Sequence, residues 1–117
     1  MKIKFQEELI MSQMIMFYVP CSGKEEAKKI AKVLLKSKLV ACANIVGSCT
    51  SIYEWEGEIK EEEEAILIMK TVTSLYLDVE RTIVEHHSYK CPCIVALNTA
   101  EVNMPFFQWV EERTFKK

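Results

Sequence analysis

Glycine and proline are scarce, at three each in 117 residues. That excludes a disordered Pro/Gly-rich chain and leaves no glycine-rich loop able to cradle phosphate. Long apolar runs are missing too. Met14–Val19 and the stretch around Ile66–Met69 fall far short of the ~20 residues that cross a bilayer. Neither charge sign dominates: 15 Lys and Arg against 17 Asp and Glu leave a net charge of −2. No basic run interleaves with aromatics, so neither nucleic acid nor a membrane is an expected partner. Lys2, Lys4, Glu7 and Glu8 break up the start of the chain, which therefore lacks a signal peptide's apolar segment. With Met11 as an alternative start, residues 1–13 are expected to form a flexible N-terminal extension. The five cysteines (Cys21, Cys42, Cys49, Cys91, Cys93) make an odd count without a secretory signal. Free thiols in a reducing, cytoplasmic setting are the expectation.

What is present is apolar patterning sufficient for one core, half the residues being apolar; one domain over residues 14–117 is expected. Met14–Val19 reads as a strand ended by Pro20. Ser22 and Glu25 match a capping box, and Ala27, Ile30, Ala31 and Leu34 form an i, i+3, i+4, i+7 stripe. A second extended segment starts at Val40, is interrupted at Gly47-Ser48 by a bend or bulge, and resumes over Ser51–Glu56 with period two. A turn at Gly57-Glu58 and the acidic run Glu61–Glu64, read as a solvated turn, lead into a third strand, Ala65–Lys70. Residues 40–71 thus predict a long antiparallel hairpin. Thr73 or Ser74 should cap a helix running to about His86, with Leu75, Val79 and Ile83 on one side. Cys93–Ala100 predicts a fourth strand, and Asn103 a cap for a last helix through Arg113. The order βαββαβ plus a C-terminal helix is the ferredoxin-like split βαβ sandwich, an α+β fold with helices on one sheet face. The uncovered face favours association into a closed symmetric oligomer.

His86, His87, Cys91 and Cys93 combine imidazole and thiolate donors, the ligands copper and zinc prefer. Adjacent histidines at a helix end point apart, however, and Cys-Pro-Cys is not a zinc-ribbon spacing, so a surface histidine pair with strand thiols is the competing reading. Cys91 and His87 could meet, but no oriented third partner is legible, and no enzyme is expected.

On these elements, Ala41-Cys42-Ala43-Asn44-Ile45, Ser51-Ile52-Tyr53-Glu54-Trp55-Glu56-Gly57, Glu64 with Leu67–Thr71, His87-Ser88-Tyr89 with Pro92, and Trp109 occur in order. This ordered set resembles the CutA divalent-cation tolerance family from about Met14 to Trp109. Two departures stand out. Ser88 replaces the usual proline between His and Tyr, and Val19 falls near a first-strand cysteine linked to metal in some members, with Cys21 close by. The resemblance implies a homotrimer of PII-like architecture with intersubunit clefts. It places Tyr53, Trp55, Glu56, Glu64, Lys70 and Tyr89 in such a cleft, with Lys70 paired to Glu56 or Glu64; simple packing is the commoner use of such aromatics. The metal candidates become His86, His87, Cys91 and Cys21. The implied function is copper-type divalent-metal binding or tolerance, or sensing of a metal or small molecule. The resemblance requires no cofactor and allows a divalent cation, Cu or Zn. The alternative is an adaptor trimer presenting surfaces to a protein partner.

Overall fold

The computed structural model describes residues 13–116; the expected extension at residues 1–13 lies outside this range except for Gln13. The elements are β1 (Met14–Cys21), α1 (Lys24–Lys36), β2 (Cys42–Trp55), β3 (Glu58–Val72), a 3-10 turn (Thr73–Leu75), α2 (Tyr76–His86), β4 (Val95–Asn98) and α3 (Met104–Arg113). The four strands form one antiparallel sheet in the order β2-β3-β1-β4, the ferredoxin-like arrangement expected.

Alternation sorts the side chains. Phe17, Val19 and Cys21 of β1 and Leu67 and Met69 of β3 are buried on the face that meets the helices. The predicted stripe of α1 (Ala27, Ile30, Ala31, Leu34) and Val79 and Ile83 of α2 complete that core. Phe17 stacks on Tyr76 with ring centroids 5.4 Å apart. Tyr18, Val46, Val95 and Leu97 share the opposite face, as their register with Ile68, Ile66 and Met16 requires, and all four remain exposed.

The expected bulge lies between Val46 and Cys49, where the β2–β3 register shifts and Ser48 takes a φ of 58°. Beyond it the hairpin continues as an arm turning at Glu56-Gly57. Both residues have positive φ (51° and 81°), which a tight two-residue hairpin turn demands and glycine meets without strain. The arm stretches the molecule to 55 × 29 × 25 Å.

Several boundaries differ from expectation. β1 continues through Pro20 to Cys21, because β4 pairs only with Ile15–Tyr18 and leaves no ladder bond for the missing N–H to break. The run Glu61–Glu64 is not a turn; it belongs to β3, where Thr50 donates to Glu63 (2.6 Å) and Tyr53 to Glu62 (2.7 Å). β4 is shorter than Cys93–Ala100. Gly23, not Ser22, occupies the cap position of α1 without a side-chain cap bond, and Glu25 instead pairs with Lys28 on the surface. Leu75 precedes α2 after the 3-10 turn, so neither Thr73 nor Ser74 caps it. Asn103 sits at the cap of α3 but makes no cap bond.

Ile83 is fully buried and Leu77, on the same helix, is exposed. Ile83→Ala is expected to lower unfolding free energy by about 3 kcal/mol, and Leu77→Ala by less than about 0.5 kcal/mol, read from urea titrations.

Candidate metal centre

The C-terminal end of β1, the first turn of α1 and the segment after α2 converge on one carboxylate. Because only two residues, Ser22 and Gly23, separate β1 from α1, Glu26 projects back toward the strand end. Its Oε1 accepts from Ser22 N–H and Ser22 Oγ, both at 2.9 Å, and its Oε2 accepts from Ser88 N–H at 2.6 Å. One side chain thereby ties the β1–α1 connection to the α2–β4 connection. Burial alone would raise its pKa, but the bonds from Ser22 and Ser88 outweigh that and hold it at about 2. The helix N-terminus also favours a negative charge there.

His87 follows α2 in an extended conformation, its side chain wholly enclosed. Its Nε2 lies 2.9 Å from Pro20 O, which can only accept, so Nε2 carries the proton. Its Nδ1 accepts from Tyr89 N–H at 3.1 Å and lies 3.8 Å from Glu26 Oε2. The backbone carbonyl therefore selects the tautomer whose Nδ1 is an acceptor, bonded by Tyr89 N–H and 3.8 Å from the carboxylate. Cys21 completes the cluster: its thiol, Glu26 and His87 offer donor atoms within 4.8 Å of one another. Cys21 donates weakly to Val19 O at 3.6 Å. Burial first, then Glu26 and Glu64, push this thiol up to about 12. A neutral thiol is the opposite of what a nucleophilic cysteine needs.

Tyr89 borders the cluster, its ring 4.6 Å from that of His87 and tilted 54°. Its hydroxyl donates to Glu64 Oε2 at 2.7 Å, while Ser51 donates to the other oxygen. Burial and Glu64 both raise the Tyr89 hydroxyl well above the usual phenol range.

Of the metal candidates, Cys21 and His87 are thus brought together, and Glu26 joins them. His86 is exposed on α2 with Nδ1 donating to Thr82 O (2.9 Å), and Cys91 is exposed in the following loop; neither enters the cluster. Of the cleft candidates, Glu64 and Tyr89 meet. Tyr53, Trp55 and Glu56 lie out on the arm, exposed. Lys70 does not pair with Glu56 or Glu64 within the chain: it donates to Asn44 Oδ1 at 2.7 Å and lies 5.8 Å from the Phe106 ring centroid. Six residues of strand separate it from Glu64, roughly 20 Å. Glu26 was missed because Ser22 and Glu25 satisfied a capping-box spacing; the usable signal was a second acid in the first turn directly behind a strand end.

A family model described as "CutA1 divalent ion tolerance protein" matches residues 15–113. The chain belongs to this family. It is 39% identical over 104 residues to the divalent-cation tolerance protein CutA of Thermus thermophilus, covering 89% of this chain and 99% of that protein. It is 35% identical over 97 residues to human Protein CutA, covering 83% of this chain but spanning only 54% of the human protein. The crystal structure of the divalent ion tolerance protein CutA1 from Ehrlichia chaffeensis superposes with a TM-score of 0.86 at 35% identity, covering 89% of this chain and 97% of that one. The family is named for tolerance and not for a reaction, and among the described residues no helix is long and apolar enough to cross a membrane.

Because the Glu26 carboxyl is held at about 2, below its ordinary 4.5, its contribution to stability is present above pH 4.5 and lost as pH falls toward 2. Glu26→Gln is expected to flatten the melting temperature between those limits and to cost about 2 kcal/mol at neutral pH, checked by calorimetry across pH.

Proposed function

We propose that the chain acts as a homotrimeric divalent-cation-binding tolerance protein of the reducing cytoplasm, with Cys21, Glu26 and His87 as its cation seat. The observation that carries this reading is the tautomer of His87. A metal-binding histidine commonly donates its other ring N–H to a carbonyl or carboxylate, and His87 donates Nε2–H to Pro20 O while aiming Nδ1 at a charged carboxylate. Mixed sulfur, nitrogen and oxygen donors suit borderline ions such as zinc and copper. An ion there would release Tyr89 N–H from Nδ1 and the proton from Cys21, its positive charge offsetting the thiolate that burial, Glu26 and Glu64 otherwise oppose. The names of the relatives, divalent-cation tolerance proteins, point the same way.

Trimer formation is supported by surface that the chain cannot bury alone. The exposed sheet face presents Tyr18, Val46, Val95 and Leu97, and the arm presents Trp55 at 60% and Ile59 at 70% exposure. An isolated two-stranded ribbon is barely stable in water, so the arm needs a neighbour to lie on. In such an assembly Tyr53, Trp55 and Glu56 of one subunit can approach Lys70, Glu64 and Tyr89 of another, forming a cleft for a small ligand.

Native mass spectrometry of metal-free protein, with one equivalent of Zn(II) or Cu(II) added per chain, tests the reading. A trimer carrying three ions is expected, with Glu26→Gln and His87→Ala trimers carrying fewer. A trimer that stays bare moves the function to an adaptor role, and a monomer overturns the assembly. Zinc affinity measured across pH should fall about tenfold per unit of acidification, since each ion displaces the Cys21 proton.

A further inference from the structure

At the other end of α1 from the cation seat, about 20 Å of helix away, a groove opens in the helix layer. Its walls are Ser37 and Leu39 after α1, Asp78, Arg81 and Thr82 on α2, and Phe115 of the C-terminal segment, enclosing about 370 Å³. That volume is typical of a small binding pocket. α1 and α2 pack on the sheet face of Phe17 and Leu67, opposite the face of Tyr18 and Val95. The groove therefore stays outward when the bare sheet face is covered.

The turn that shapes it is strained. α1 ends in a Schellman arrangement, in which Lys38 N–H donates to Leu35 O (3.1 Å) and Leu39 N–H to Leu34 O (2.9 Å). Lys38 holds the left-handed position of this turn at a φ of 61°, where glycine is the usual residue. Its carbonyl accepts from Phe115 N–H at 2.7 Å, which fastens the C-terminal segment beside the groove. The Phe115 side chain nevertheless remains exposed, as does Leu77, one turn before Arg81 on α2. A lysine is thus kept where local geometry favours glycine, next to an aromatic ring that the fold does not bury.

Charge identifies the occupant. Lys36, Lys38, Arg81 and Lys116 are all exposed and lie on the lining or next to it in sequence. The lining holds one acid, Asp78, which Arg81 engages at 3.3 Å. The chain as a whole carries −2, so this basic rim runs against its net charge. We propose that the groove docks an acidic peptide segment of a protein partner. One aromatic side chain of that segment sits between Leu39, Phe115 and Arg81, and flanking carboxylates meet Lys36 and Lys38. Aromatic anchors carry much of the affinity in such pockets and stack on guanidinium planes. The carboxylates steer encounter, an attraction that salt screens. A nucleic acid would meet Asp78 inside the groove and too few cations along its backbone.

The test pans the full-length assembled protein against a random-peptide phage library. Enriched peptides are expected to share an aromatic residue flanked by Asp or Glu. The strongest of them, made synthetically, should bind at low salt and weaken as salt rises. Phe115→Ala should weaken that peptide at least tenfold. Lys38→Gly should weaken it severalfold while raising the melting temperature, because glycine relieves the left-handed turn; a purely structural Lys38 would move only the melting temperature. Both variants should keep Zn(II) uptake and assembly state, which separates failure of this groove from failure of the cation seat. Three outcomes would each overturn the proposal: no acidic–aromatic sequence enriched, undiminished binding to Phe115→Ala and Lys38→Gly, or single-stranded DNA bound in place of peptide.

Discussion

The eight antiparallel pairs joining β1 to β3, from Met14–Val72 to Cys21–Ala65, are the constraint on which the rest of the molecule hangs. They link segments about fifty residues apart in sequence, so everything between must leave the end of β1, cross one face and come back. The apolar stripe of α1 fits that crossing, because it can bury only against the sheet face carrying Phe17, Val19, Leu67 and Met69. The same pairing sets β2 outside β3 and leaves the other flank of β1 for β4, which fills only half of it. Where β4 falls short, the carbonyl of Pro20 is open, and His87 takes it.

That shortfall is why the chemistry gathers where it does. A buried strand end needs its polar groups satisfied, and here the partners are side chains: His87 on the Pro20 carbonyl and Glu26 on Ser22 and Ser88. Structure and candidate function draw on the same bonds. The carboxylate that fastens two connections would also supply the negative charge of the proposed cation seat, and the bond that fills the sheet edge also sets the imidazole tautomer. Cys21 shows the opposing tendency, since burial and two carboxylates keep it a thiol until something positive enters.

Much of the fold was legible in the residues because local pattern and final environment agree. The stripe Ala27, Ile30, Ala31, Leu34 could only be one helical face, and Gly47-Ser48 interrupted a strand pattern where a bulge occurs. Errors collected where local chemistry admits two solutions. Ser22 could bond an acid three or four residues on, and the helix start at Lys24 selected Glu26 over Glu25. Four consecutive glutamates resemble a solvated turn until pairing with Cys49–Ile52 draws them into a strand. Among the metal candidates, donor type was readable but direction was not: His86 and His87 are neighbours, one on the helix exterior and one enclosed.

The sequence by itself determined the order of elements, the core stripes, the absence of strong charge bias and the family, because each rests on short-range periodicity or on motifs read in order. Tertiary structure alone decided that Cys21, Glu26 and His87 form one cluster while Cys91 and Cys93 stand apart at the rim. It also decided that Lys70 answers to Asn44 within the chain. The reason is geometric. A helix turn or a strand step relates residues a few positions apart, whereas contact between residues 21 and 87 exists only after β1 and α2 have been packed against the same sheet.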